Sequence, residues 1–232
     1  MAEHVQVESH GETALLRLAR PPVNALNLAM VQQLGAALSE LAADPPRGVV
    51  LYGDGPAFCG GVDVKELPGY DEGQRADMIA AINTMITCLY GLPTATVAAV
   101  GGHAIGAGLV LVLACDARIA TTAEIRLGLT EVTAGVSYPA CPMEVVNAEL
   151  DPSLRRHLVL SGATLVPTEA VTARLIDDLA EPAHLVDAAI ELARTRATAP
   201  AYRTVKHQLR HVTLARMRTL MNDPTAATGL TI

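Results

Sequence analysis

The sequence predicts an α/β fold with its strands early and its helices late. Three observations carry this. Short β-branched or apolar runs recur in the first half, the clearest at Val49–Tyr52 and Ala95–Val100. Each of those two runs leads into a turn of small residues that precedes a possible helix start. The first turn is Ala57-Phe58-Cys59-Gly60-Gly61-Val62-Asp63, and the second runs from Gly101 to Gly108 and on to Cys115-Asp116. Beyond Pro139 the chain reads as mostly helical, so right-handed strand-to-helix units connect a strand-rich part to a helix-rich one.

Taken in order, 4–9 and 13–18 alternate apolar and polar residues around His10-Gly11-Glu12, which predicts a hairpin. Arg20-Pro21-Pro22-Val23 interrupts regular structure. Residues 28–43 show helical periodicity, with Met30, Leu34, Leu38 and Leu41 on one face, and Pro45-Pro46 closes that helix. After the strand at 49–52, residues 56–70 read as irregular. A helix is expected over 74–89, stopped by Gly91 and Pro93. The strand at 95–100 and the second turn lead to a helical 109–113. Short strands are expected at 117–120 and 125–127, helices at 143–149, 153–160 and 168–173, and a last strand at 175–179. Two long helices follow, over 183–198 and 201–221.

A chain of 232 residues, half of them hydrophobic and 18% charged, buries an ample core and argues against disorder. The formal net charge of −7 argues against sequence-independent nucleic-acid binding. Cys59, Cys88, Cys115 and Cys141 lie far apart and form no CxxC pair, so no metal site is expected, and they read as reduced thiols of a cytoplasmic protein. The N-terminus lacks a basic start followed by an apolar run. Residues 97–115 carry no charge, but four glycines and His103 interrupt them. They read as a buried strand, turn and helix rather than a membrane span.

Small residues let backbone amides approach a ligand oxygen, and two such turns suggest two donors converging on one oxyanion. Four segments extend this reading: Arg20-Pro21-Pro22-Val23-Asn24-Ala25-Leu26-Asn27, the Phe58 to Glu66 block around the only phenylalanine, the Gly102 to Asp116 block, and Pro200-Ala201-Tyr202 with Lys206. In that order and at that spacing they resemble the crotonase superfamily, the enoyl-CoA hydratase/isomerase family. The resemblance covers almost the whole chain. It implies a crotonase-like spiral of ββα units over 1–180, holding an acyl-CoA site, and a helical trimerisation region over 181–232. It also implies a homotrimer or hexamer, and an acyl-CoA thioester substrate with no separate cofactor. It places one oxyanion donor at Gly60, the second residue after Phe58, and the other at Ala107. It brings Gly60, Gly61, Val62 and Asp63, with the backbone near Ala25, to the CoA moiety.

Hydratases of the family resemble one another in having two glutamates. The position three residues after Ala107 is Val110, and Leu109 to Leu113 carries no titratable group. The later segment, Leu127-Gly128-Leu129-Thr130-Glu131, keeps Glu131. One carboxylate suits a proton shuttle better than addition of water, so the reading favours a shift of a double bond from 3-enoyl-CoA to 2-enoyl-CoA. Leu127, Leu129 and Val132 are expected to desolvate Glu131 and make it a better base. The alternatives are a hydratase with its second carboxylate moved to Glu144, and an acyl-CoA binding module without turnover. The same scaffold also hosts thioesterase and decarboxylase chemistry.

Each residue also has a plainer reading. Glu131 at a helix start can be a solvated carboxylate favoured by the dipole. Asp63 reads as a turn or cap aspartate near the CoA site rather than a catalyst. His103 reads as a hydrogen-bonded core group. Cys59 and Cys115 lack a histidine paired by motif and are not expected to be nucleophiles. Asp116 is expected to cap or pair structurally. Arg203 and Lys206 stand between a CoA-phosphate contact and a solvated helix face, and Arg216 and Arg218 read as solvated or intersubunit.

Overall fold

A computed structural model describes residues 3–222. The predicted hairpin forms, with β1 (Val5–His10) and β2 (Thr13–Leu18) pairing antiparallel. Helix α1 (Leu28–Ala43) starts where the Asn27 side chain accepts from the Met30 amide, and it turns the expected stripe of Met30, Leu34, Leu38 and Leu41 inward. Then come β3 (Gly48–Gly53), β4 (Ala57–Cys59) and α2 (Glu72–Gly91). Helix α2 begins two residues before the expected start because Asp71 and Gln74 form a capping box. The next unit is β5 (Ala95–Val100), β6 (His103–Ile105) and α3 (Ala107–Ala114), followed by β7 (Ala117–Thr121), β8 (Leu127–Gly128) and α4 (Glu131–Ala134). The remainder is α5 (Ala140–Glu149), α6 (Pro152–Ser161), β9 (Thr164–Leu165), α7 (Pro167–Thr172), β10 (Asp178–Ala180), α8 (Leu185–Ala197) and α9 (Tyr202–Met221).

Two sheets result. The larger has the order β1-β2-β3-β5-β7-β10 and is parallel from β2 onward. The smaller has the order β4-β6-β8-β9, with only β8 and β9 antiparallel. Three successive units therefore place a first strand in the large sheet, a second strand in the small sheet, and then a helix. This is the spiral of ββα units, and repetition stacks the small-residue turns beside one another. The small sheet was not expected, because strands of two or three residues are too short to show a period. Two expected strands also move. The 125–127 strand becomes 127–128. The 175–179 strand becomes 178–180, because Leu175 and Ile176 are buried where α7 ends, with both amides bonded to the Ala170 carbonyl.

The main core lies between the large sheet and helices α1 to α3 and α5. On the sheet's other face, α8 inserts Leu185, Ala189 and Ala193 against Val50, Val97 and Ala99. Helix α9 packs on α2 and α5 of the same chain. The helical region expected over 181–232 includes 223–232, which lie outside the described residues. No helix among the described residues is long and apolar enough to cross a membrane, and residues 97–115 fold as β5, β6 and α3.

Candidate active site

The two small-residue turns meet. A Cβ added to Gly61 would lie 2.7 Å from the Ile105 carbonyl oxygen and 3.4 Å from the Ala107 nitrogen, so only glycine allows the first turn to lie against the second. A cavity of about 240 Å³ opens there, walled by both turns, by α3 through Val110, and by the segment from Thr130 to Pro142. Ala107 is the first residue of α3. Its N–H precedes the helical ladder, so the helix supplies it no acceptor.

The partner donor expected at Gly60 is corrected by the structure. The Gly60 amide donates to the Val23 carbonyl at 2.8 Å, and the Val23 side chain covers that glycine. Asn24 holds this loop in place. It sits at φ 51°, fully buried, and its side-chain amide donates to the carbonyls of Asp54 and Ala57. The Gly61 amide faces the Cys59 sulfur instead. Residue 62 then bridges Leu26: the Leu26 amide donates to Gly61 O, and the Asp63 amide donates to Leu26 O. Backbone direction alternates along an extended segment, so the Val62 N–H points away from Leu26. Val62 lines the cavity together with Ala107. One amide from each turn, that of Val62 and that of Ala107, adjoins the cavity with no backbone acceptor among the described residues.

Glu131 opens α4 and is the only carboxylate lining the cavity among the described residues. Its Oε1 lies over Gly106, where an added Cβ would be 3.2 Å away. Gly106 itself has φ 56° and ψ −126°, a conformation that favours glycine. The Tyr138 hydroxyl donates to Glu131 Oε2 at 2.6 Å. Burial pushes the Glu131 carboxyl up, and the bond from Tyr138 offsets this only in part. Of the expected desolvating neighbours, Leu127 and Leu129 are fully buried but Val132 is 50% exposed, and the cavity wall that holds Glu131 includes Val110, Ile105, Val136 and Pro139.

The remaining candidates separate from the cavity. Ala25 gives its carbonyl to Arg20 and does not line it. Asp63 pairs with Arg20 at 2.8 Å and accepts from the Lys65 and Glu66 amides. Burial raises its carboxyl, and these donors outweigh burial, so it is held below the ordinary range and acts as a turn anchor. Glu144 is corrected: α5 turns it away, and it meets Arg216 at 3.0 Å. His103 is exposed rather than in the core, and its Nδ1 accepts from the Arg126 amide. Burial pushes the Cys59 and Cys115 thiols up to about 12, which leaves them protonated.

Lys206 is neither solvated nor open to a phosphate. Its ammonium is buried, 2.7 Å from Asp116 Oδ2 and 2.8 Å from the Thr94 carbonyl oxygen. Arg210 reaches Asp116 Oδ1 at 3.0 Å, and the Tyr202 hydroxyl donates to Oδ2 at 2.9 Å. Asp116 thus pairs structurally, as expected, and pins α9 to the sheet. Arg203 and Arg218 are exposed on α9. Sequence reasoning missed Tyr138 and Asn24. The signal for Tyr138 was Gly135, a glycine able to turn the chain back toward the one acid in its neighbourhood.

Comparison with known proteins places this geometry. Residues 8–225 match the family model for enoyl-CoA hydratase/isomerase. The chain is 37% identical over 183 residues to the probable enoyl-CoA hydratase EchA17 of Mycobacterium tuberculosis, covering 78% of this chain and 69% of that one. It superposes on the crystal structure of the probable enoyl-CoA hydratase EchA3 of Mycobacterium tuberculosis with a TM-score of 0.88 at 28% identity, over 97% of this chain and 95% of that chain. A second structure of that same Mycobacterium tuberculosis protein, the apo form and there called an enoyl-CoA isomerase, superposes with a TM-score of 0.86 at 28% identity, over 96% of this chain and 97% of that chain. The spiral of ββα units with its helical C-terminal part is the crotonase fold, and this chain belongs to the enoyl-CoA hydratase/isomerase family.

Proposed function

We propose that this protein moves the double bond of a 3-enoyl-CoA thioester to the 2-position, with Glu131 as its only base. The observation that carries the reading is a single carboxylate in a mostly apolar cavity, with Val110 on the α3 wall where a second would be needed. The thioester oxygen takes hydrogen bonds from the Val62 and Ala107 amides. Glu131 Oε1 removes a proton from C2, and the electron pair delocalises onto the thioester oxygen and the C3–C4 double bond. The same carboxylic acid then returns its proton to C4, leaving the C2–C3 double bond. Atoms and charge balance without water or a cofactor. Each aligned donor is worth about 3–4 kcal/mol to the enolate. The raised Glu131 carboxyl brings its basicity closer to what a neutral-pH shuttle uses.

Hydration asks for a second group to orient and deprotonate water. The residue considered for that role, Glu144, is engaged by Arg216 outside the cavity. The test is Glu131→Gln, assayed on 3-enoyl-CoA isomerisation, on hydration of crotonyl-CoA, and on binding of a non-reactive acyl-CoA. Isomerisation falls by about 10²–10⁴-fold while binding persists. Unchanged turnover removes Glu131 from the mechanism, and wild-type hydration as fast as isomerisation makes the protein a hydratase.

A further inference from the structure

We propose that Tyr138 is a positioning residue for the proton transfer: its hydroxyl holds Oε2 of Glu131 and so fixes Oε1 as the oxygen that faces the acyl chain. The inference deepens the assignment of Glu131 as base and rests on it.

The loop is built to bring these two side chains together. Glu131 begins a single turn of helix, and Gly135 ends it in the left-handed conformation at φ 71°. The Val136 amide then donates back to the Glu131 carbonyl, which folds the segment onto its own start. Tyr138 arrives seven residues after Glu131 with its ring half-buried, and Pro139 redirects the chain into α5. The result is a bond of 2.6 Å from a neutral phenol to a carboxylate, inside a mostly apolar cavity.

Two consequences follow. The terminal torsion of a glutamate is broad and roughly two-fold, so a carboxylate among apolar walls exchanges its oxygens freely. A charge-assisted hydrogen bond to one oxygen removes that freedom, and the other oxygen stays over Gly106. The phenol also remains a donor throughout. Burial and the neighbouring Glu131 charge both push its own ionisation far up, so the shared proton stays on Tyr138 and does not compete with the substrate's. Tyr138 therefore opposes burial at Glu131, keeping more of the base ionised near neutral pH than the apolar cavity alone would allow.

The experiment is Tyr138→Phe, which deletes one oxygen and keeps the ring. The pH profile of kcat/KM for 3-enoyl-CoA isomerisation is measured over about pH 5 to 9. The Glu131 carboxyl is titrated in parallel by difference infrared spectroscopy, its band assigned as the one missing in Glu131→Gln. With the donor gone, the acid limb and the infrared titration both move to higher pH by about one to two units, the equivalent of one hydrogen bond to a charged group. On the plateau kcat falls by about tenfold and KM stays within about twofold, because an ill-oriented base affects the transition state and not thioester binding. A limb and an infrared titration that stay at the wild-type position overturn the inference, as does a loss confined to KM. If Glu131→Gln keeps full turnover, the parent assignment fails. The infrared titration still decides, without any activity, whether Tyr138 holds Glu131.

Discussion

Gly106→Ala tests the placement of the base most directly. The substitution acts twice. First, Gly106 has φ 56° and ψ −126°, and a side chain in such a region costs about 1–3 kcal/mol. For a domain of this size each kcal/mol is worth about 2–4 °C in Tm, so the expected loss is about 2–12 °C. Second, the new Cβ would stand 3.2 Å from Glu131 Oε1 and 3.5 Å from Cδ, closer than ordinary van der Waals contact to the oxygen. The carboxylate has to retreat by a few tenths of an ångström from its place over Gly106. A misplacement of about 1 Å can cost about 100-fold in rate, so a few tenths correspond to about three- to tenfold in kcat. Gly55→Ala is the control. It has φ 80° and no heavy atom within 4 Å of the added Cβ, so it loses stability without touching the site. Thermal unfolding and steady-state isomerisation of 3-enoyl-CoA are measured on both variants. If Gly106→Ala loses Tm but keeps wild-type kcat, as Gly55→Ala does, then Glu131 does not act from its position above Gly106.

Lys206→Met separates structure from ligand binding. Removing one member of a buried ion pair costs about 3–5 kcal/mol, and the low end is expected because Arg210, Tyr202 and the Thr96 amide still hold Asp116. Tm falls by about 6–12 °C with KM for the thioester unchanged, and a large rise in KM at constant Tm would return Lys206 to the CoA phosphates. Val110→Glu introduces the carboxylate that the α3 wall lacks. Two buried carboxyls in one cavity cannot both ionise freely, so isomerisation drops by at least about tenfold and hydration of crotonyl-CoA rises above the wild-type rate. Absence of any hydration would show that the cavity cannot seat the water.

The long elements and the two turns were legible in the sequence because each has a period or a composition of its own. Met30, Leu34, Leu38 and Leu41 mark one face of α1, and glycines mark every close approach in the site. What escaped depends on parity and on distant partners. Whether the amide of Gly60 or that of Val62 faces the cavity turns on which residue bridges Leu26, and spacing from Phe58 does not record that. Lys206 reads as open to solvent or to a phosphate on α9 because Asp116, which neutralises it, lies 90 residues away in sequence. Glu144 follows Pro142 as a cavity residue would, yet the pitch of α5 carries its side chain to Arg216. β4, β6, β8 and β9 are two or three residues each and are ordered by their neighbours rather than by any pattern of their own.

The chain buries carboxylates in two contrasting ways, and the contrast supports the proposal of Glu131 as the base. Asp116 is met by two cations, a phenol and a backbone amide, all of which bind its carboxylate oxygens. Glu149 shares Arg118 and Tyr90 in the same way. Glu131 has one neutral donor and an apolar wall. Its proton affinity is raised in the folded state, so folding favours its protonated form: it supports the fold at low pH, and that support is lost as pH rises through its folded titration range. A group that weakens its own fold when charged is a poor structural element and a good proton acceptor. Among the described carboxylates that line the cavity, only Glu131 is in that position, and Tyr138 limits how far the imbalance goes.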